Sequence, residues 1–144
     1  MFRYAPQRKV YWPVTLQARG QDGELIEARA LIGYHILTRD ELQARDAALL
    51  HTVQGTVDAD VLARARARDD ADLVLLRERI FDWKDIVDDA TGEPLTFSAE
   101  TRDAMLADAL LYRALLAGLI RASVGAREKN SSPGLAGTPA RAQG

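Results

Sequence analysis

The chain has no cysteine, which excludes a disulfide framework, a thiolate zinc site and a thiol nucleophile. It has two histidines, His35 and His51, too few for most imidazole-based metal or triad chemistry. Basic residues do not predominate: 19 Lys plus Arg against 21 Asp plus Glu give a formal net charge of −2. That balance excludes a protein that coats nucleic acid through a global positive field. Long apolar runs are also missing. The longest near the end, Ala114 to Ile120, lies between Arg113 and Arg121, whereas a spanning helix needs about 20 apolar residues. Met1 to Lys9 lacks the apolar stretch of a signal peptide, so the chain is expected to stay in the cytoplasm where it is made.

What remains is 144 residues, 47% of them hydrophobic and 28% charged, enough for one modest core. The first segment alternates with a period of two. Val10, Trp12, Val14 and Leu16 fall on one face, and Ile26, Ala28, Ala30, Ile32, Tyr34 and Ile36 continue it after the turn Gly20-Gln21-Asp22-Gly23. This predicts an antiparallel hairpin over about 8–37, with Pro13 on a sheet edge because it cannot donate a ladder hydrogen bond. A lone hairpin is marginal in water, so the helices that follow, or another chain, must cover its apolar face.

Thr38-Arg39-Asp40-Glu41 forms a capping box opening a helix over about 39–51 that presents Leu42, Leu49 and Leu50. Gly55 breaks it. Asp58 or Asp60 then caps a helix over about 59–81 with the stripe Leu62, Ala65, Leu73, Leu76 and Ile80. Phe81 to Phe97 reads as an ordered loop or small hairpin. Ser98 caps a last helix over about 99–124, whose stripe is Met105, Ala109, Tyr112, Leu116 and Leu119, and Gly125 stops it. The fold class is therefore α+β, a hairpin packed on about three helices in a single domain of residues 1–127. The Gly-, Pro- and Ala-rich stretch 128–144 is expected to be a flexible tail.

Few residues form a chemical constellation. His35 and His51 fall on different elements without acidic neighbours at ligand spacing. Arg64, Arg66 and Arg68 precede Asp69, Asp70 and Asp72, and Arg66–Asp70 and Arg68–Asp72 can pair along a solvated helix face. Residues 82–103 carry Asp82, Asp85, Asp88, Asp89, Glu93, Glu100 and Asp103 against Lys84 and Arg102, or −7 + 2 = −5. The order of these carboxylates does not match a calcium loop. Arg3, Arg8, Lys9 and Arg19 precede any acid; their sign complements that stretch for self-association or partner docking, and the run reads equally as an ordinary solvated segment.

Trp83-Lys84-Asp85-Ile86-Val87-Asp88, then Gly92-Glu93-Pro94-Leu95-Thr96-Phe97-Ser98, then an apolar helix ending in Gly125-Ala126-Arg127-Glu128-Lys129-Asn130 resembles the tail assembly chaperones of long-tailed bacteriophages. Tyr11-Trp12-Pro13-Val14 at the hairpin extends the resemblance to about residues 8–130. It implies a non-enzymatic protein of the host cytoplasm, absent from the finished virion. Such a protein binds the tape measure protein and helps tail tube protein assemble around it. The same resemblance singles out Trp12, Trp83, Asp85, Gly92, Pro94, Leu95 and Phe97 as structural or partner-contact residues. It implies no catalytic residue, cofactor, metal, nucleic acid or membrane. Such chaperones are often made in two forms by frameshifting, and Glu128-Lys129-Asn130 can be encoded with the slippery run A-AAA-AAC. The rival readings are a tail-completion or connector component of the virion and, from a different class, a small hydrolase using acidic-loop carboxylates.

Overall fold

The computed structural model describes residues 1–4, 8–53 and 59–125, without the side chains of 51–53 and 59. The Gly55 break, the Asp58 cap and the tail over 128–144 lie outside the described residues, as does the side chain of His51.

Two strands of equal length, β1 (Lys9–Arg19) and β2 (Leu25–His35), form the expected antiparallel hairpin. Val10 pairs with Tyr34, Trp12 with Ile32, Val14 with Ala30 and Leu16 with Ala28, so the alternating apolar residues share one face. At the turn, Gly23 takes φ 85° and its N–H donates to the Gly20 carbonyl at 3.0 Å. In the sheet β1 pairs with β2 alone and so lies at an edge, the position that tolerates Pro13.

After β2, Thr38 and Glu41 cap α1 (Arg39–Val53) reciprocally. The Glu41 amide donates to Thr38 Oγ1 at 3.1 Å, and the Thr38 amide to Glu41 Oε1 at 2.9 Å. Leu42 packs against the core, but Leu49 and Leu50 are exposed, unlike the stripe expected for them. Next comes α2 (Ala59–Arg79), with Asp60 in its first turn and Leu62 exposed near its start. Its buried side chains are Leu76 and Asp72. The expected solvated face is corrected here. Arg66 and Asp70 are exposed, but Asp72 is only 7% exposed and bridges two helices. Its carboxylate accepts from Arg45 Nη2 of α1 at 3.1 Å and lies 4.0 Å from Arg68 Nε.

The structure adds a third strand. Ile80 begins β3 (Ile80–Lys84) directly after α2, instead of finishing the helix. Ile80 pairs with Tyr34 and Trp83 with Ile32, while Gly33 faces Asp82, which leaves Phe81 as the extra residue of a bulge. The bulge turns residues three apart onto one face, which is why this strand carries the spacing of a helix. Phe81 lies over Gly33, where a Cβ would meet its ring at 2.9 Å.

The last helix is two helices. α3 (Ala99–Leu106) starts at Ser98, whose hydroxyl accepts from the Thr101 amide at 3.1 Å. α4 (Ala109–Val124) starts at Asp108, whose carboxylate accepts from the Leu110 and Leu111 amides at 2.9 and 3.1 Å. Asp108 offers the backbone a cap where the apolar stripe alone reads as continuous. Gly125 ends α4 in the left-handed conformation, φ 70°. The buried face is Leu115, Gly118, Leu119 and Ala122, whereas Ala109 is exposed.

That face seats α4 on the hairpin. A Cβ on Gly118 would come within 2.5 Å of Tyr34 Oη and 2.7 Å of Val14 Cγ2. The Tyr34 hydroxyl, fully buried, donates to the Leu115 carbonyl at 2.8 Å, and burial pushes its pKa far above the usual tyrosine value. Ser123 Oγ accepts from the Leu37 amide at 2.9 Å and donates to Leu119 at 2.7 Å, pinning the far end of the helix. The result is one layer of helices on one face of a three-stranded antiparallel sheet, an α+β arrangement. Among the described residues no helix is long and apolar enough to cross a membrane.

Gly118→Ala should destabilise the fold by about 1–3 kcal/mol through overpacking against Tyr34 and Val14. Chemical denaturation checks this; an unchanged midpoint would show that α4 is not seated so closely.

Candidate protein-interaction groove

The hairpin outruns the helix that covers it. Eleven residues of strand span about 36 Å, and the sixteen of α4 about 24 Å. Val14, Ala30, Ile32 and Tyr34, toward the base, are buried. Nearer the turn the same face emerges: Ile26 is 53% exposed, and Leu25 beside it 55%. The helices thus cover the apolar face toward its base and leave it open near the turn.

An open groove of about 280 Å³ lies at this end of the sheet. Leu16, Ala18, Ile26 and Ala28 contribute from the hairpin, Ile86 and Val87 from the segment after β3, and Met105 and Leu111 from α3 and α4. Arg29 and Asp85 are its charged residues.

The segment after β3 is held rigidly. Asp85 leaves the strand in the left-handed region, φ 67°. The Leu95 amide donates to the Ile86 carbonyl at 2.8 Å, Val87 bridges Pro94, and the Asp88 amide donates to Glu93 at 2.8 Å. Gly92, φ 72°, closes the turn with its amide on the Asp88 carbonyl at 2.7 Å. Trp83 anchors this small hairpin from below. Its indole N–H donates to the Leu95 carbonyl at 2.8 Å, and its ring meets Phe97 edge to face at 4.8 Å.

The seven residues singled out from the sequence therefore divide. Trp83, Gly92, Pro94, Leu95 and Phe97 build the small hairpin, and Trp12, across Ile32 from Trp83, packs against the core beneath it. Asp85 alone of the seven lines the groove. Ile26, Val87, Met105 and Leu111 were not singled out; the only signal for Ile26 is hairpin alternation that continues past the reach of the helix.

The titratable groups do not converge. Asp82 accepts from the Tyr11 hydroxyl at 2.6 Å, the Asp88 carboxylate from the Ala90 amide at 2.9 Å, and Asp103 pairs with Arg77 and Arg102 at 3.4 and 3.0 Å. Among the described residues no three His, Asp or Glu side chains could hold a metal ion. His35 lies 4.9 Å from the Phe81 ring, and its pKa is lowered by desolvation first and then by Lys9 and Arg79.

No family model, curated protein or solved structure matches the chain.

Two outcomes are expected. Trp83→Ala should destabilise by about 3–5 kcal/mol, since the side chain is 6% exposed; a melting temperature equal to wild type would contradict its anchoring role. His35 is neutral-favoured in the fold, so the unfolded chain takes up its proton first as pH falls. Stability should then decline as pH drops through about 6.5 and level off below the folded pKa. His35→Gln should flatten that limb in a denaturation series against pH.

Proposed function

We propose that this chain is a tail assembly chaperone of a long-tailed bacteriophage, acting in the host cytoplasm by protein–protein contact. It holds the tape measure protein before and while tail tube subunits assemble around it, and it is not part of the finished virion. One observation carries the reading: an apolar groove held open on a rigid frame and rimmed by charge. A tape measure segment shows apolar helical faces until the tube encloses it. Such faces dock into grooves through side chains at i, i+3 and i+4, and 280 Å³ accommodates a few aliphatic side chains. The Trp83–Phe97 sequence, which resembles that family's loop, builds the frame of this groove. On this reading the chaperone does no bond-breaking chemistry.

Co-expression with the tape measure protein should give a soluble complex. Ile26→Asp and Val87→Asp alter exposed positions, so each should leave the fold intact and weaken the complex about tenfold, roughly 1.4 kcal/mol. Pull-down and calorimetry measure both. Failure of wild type to bind a soluble tape measure protein would defeat the proposal, and finding the chain in purified particles would favour a structural tail component.

A further inference from the structure

Phe2 and Tyr4 are exposed aromatic residues far from the groove in sequence. They are 85% and 77% exposed, and their ring centroids stand 6.5 Å apart. Phe2-Arg3-Tyr4 thus offers two neighbouring exposed rings with a cation between them in the sequence. The segment carries Arg3, with Arg8 and Lys9 following and no acid before Asp22. The small hairpin beside the groove carries the opposite sign in Asp85, Asp88, Asp89 and Glu93.

We propose that the Met1–Tyr4 segment of one copy of this chain docks into the groove of a second copy. Phe2 and Tyr4 enter the apolar floor between Ile26 and Val87, and Arg3 stays outside on the Asp85 side of a rim that also carries Arg29. An apolar cavity of about 150 Å³ admits a benzene-sized ring, so about 280 Å³ takes one ring fully and part of another. Chain length decides that the occupant comes from another molecule. The segment joins β1 at Lys9, the end away from the turn, while the groove begins near Leu16, about 23 Å along the strand. Five residues from Lys9 back to Tyr4 reach at most about 18 Å when fully extended, and seven back to Phe2 about 25 Å. A chain that reverses to run beside β1 uses about two of those residues in the turn, which leaves Phe2 about 17 Å of reach, so neither ring arrives at its own groove.

This inference rests on the groove being a protein-binding surface and adds a way of covering it. A groove filled by a neighbour's segment hides its apolar floor until a client displaces that segment, and client binding then competes with self-association.

Sedimentation velocity of the full chain, wild type against a Phe2→Ala/Tyr4→Ala double variant and Val87→Asp, tests it. The expected result is reversible association of wild type that weakens with salt, and weakening by about tenfold in each variant. A labelled peptide of residues 1–9 should bind the double variant saturably and should lose that binding when Val87→Asp is added. A wild type that stays monomeric to about 0.1 mM overturns the proposal, as does association that survives the double variant. Tape measure capture by the double variant, measured separately, shows in those cases whether the groove reading itself still stands.

Discussion

The close seat of α4 on the hairpin at Gly118 governs the rest of the architecture. Because that position has no Cβ, the helix backbone comes near enough for a buried tyrosine to donate to a helix carbonyl, and Val14 fills the remaining space. Tyr34 could not be buried with an idle hydroxyl, since an unsatisfied polar group in the interior costs about 1–3 kcal/mol. Its bond to Leu115 therefore fixes the rotation of the helix, and Ser123 fixes its end. Once both are set, the first turn of α4 reaches the distal apolar face only through Leu111, beside Met105 of α3, and Ile26 nearer the hairpin turn stays exposed.

The small hairpin after β3 takes the place that a longer helix would have filled. It covers part of the distal face and leaves the groove beside it. Its rigidity comes from backbone bridges and from the indole beneath. Most carboxylates of this acidic stretch are either exposed or tied to nearby amides, hydroxyls and arginines. Their charge therefore acts on the surroundings as a field.

Local interactions were legible in the sequence, and interactions between elements were not. Thr38 with Glu41, Ser98 with its helix and Gly125 at a helix end all act within about four residues, so their patterns were readable and the structure shows them. The hairpin register followed from alternation for the same reason. β3 was hidden because the bulge at Phe81 gives Ile80 and Trp83 the spacing of a helical stripe. The split before α4 was hidden because Met105, Ala109 and Tyr112 keep helical spacing across Asp108. The burial of Asp72 depends on Arg45 arriving from another helix, 27 positions away. The groove was legible only in part. The loop that frames it stood out by its tryptophan, glycine and proline, but its floor consists of ordinary aliphatic residues. Whether such residues are covered depends on the length and seat of a helix encoded elsewhere.

The edge strand has a consequence for how such a surface stays manageable. A protein that shows apolar side chains beside an open row of backbone donors and acceptors risks growing by sheet extension. In β1, an antiparallel match of two copies centred on Val14 would set Lys9 against Arg19 and leave Pro13 without a donor. Like charges at both ends and a gap near the middle make that ladder a poor template for fibres. Along β1, stickiness is thereby confined to side chains, where contacts are weak enough to be exchanged, and denied to the backbone, where they would accumulate.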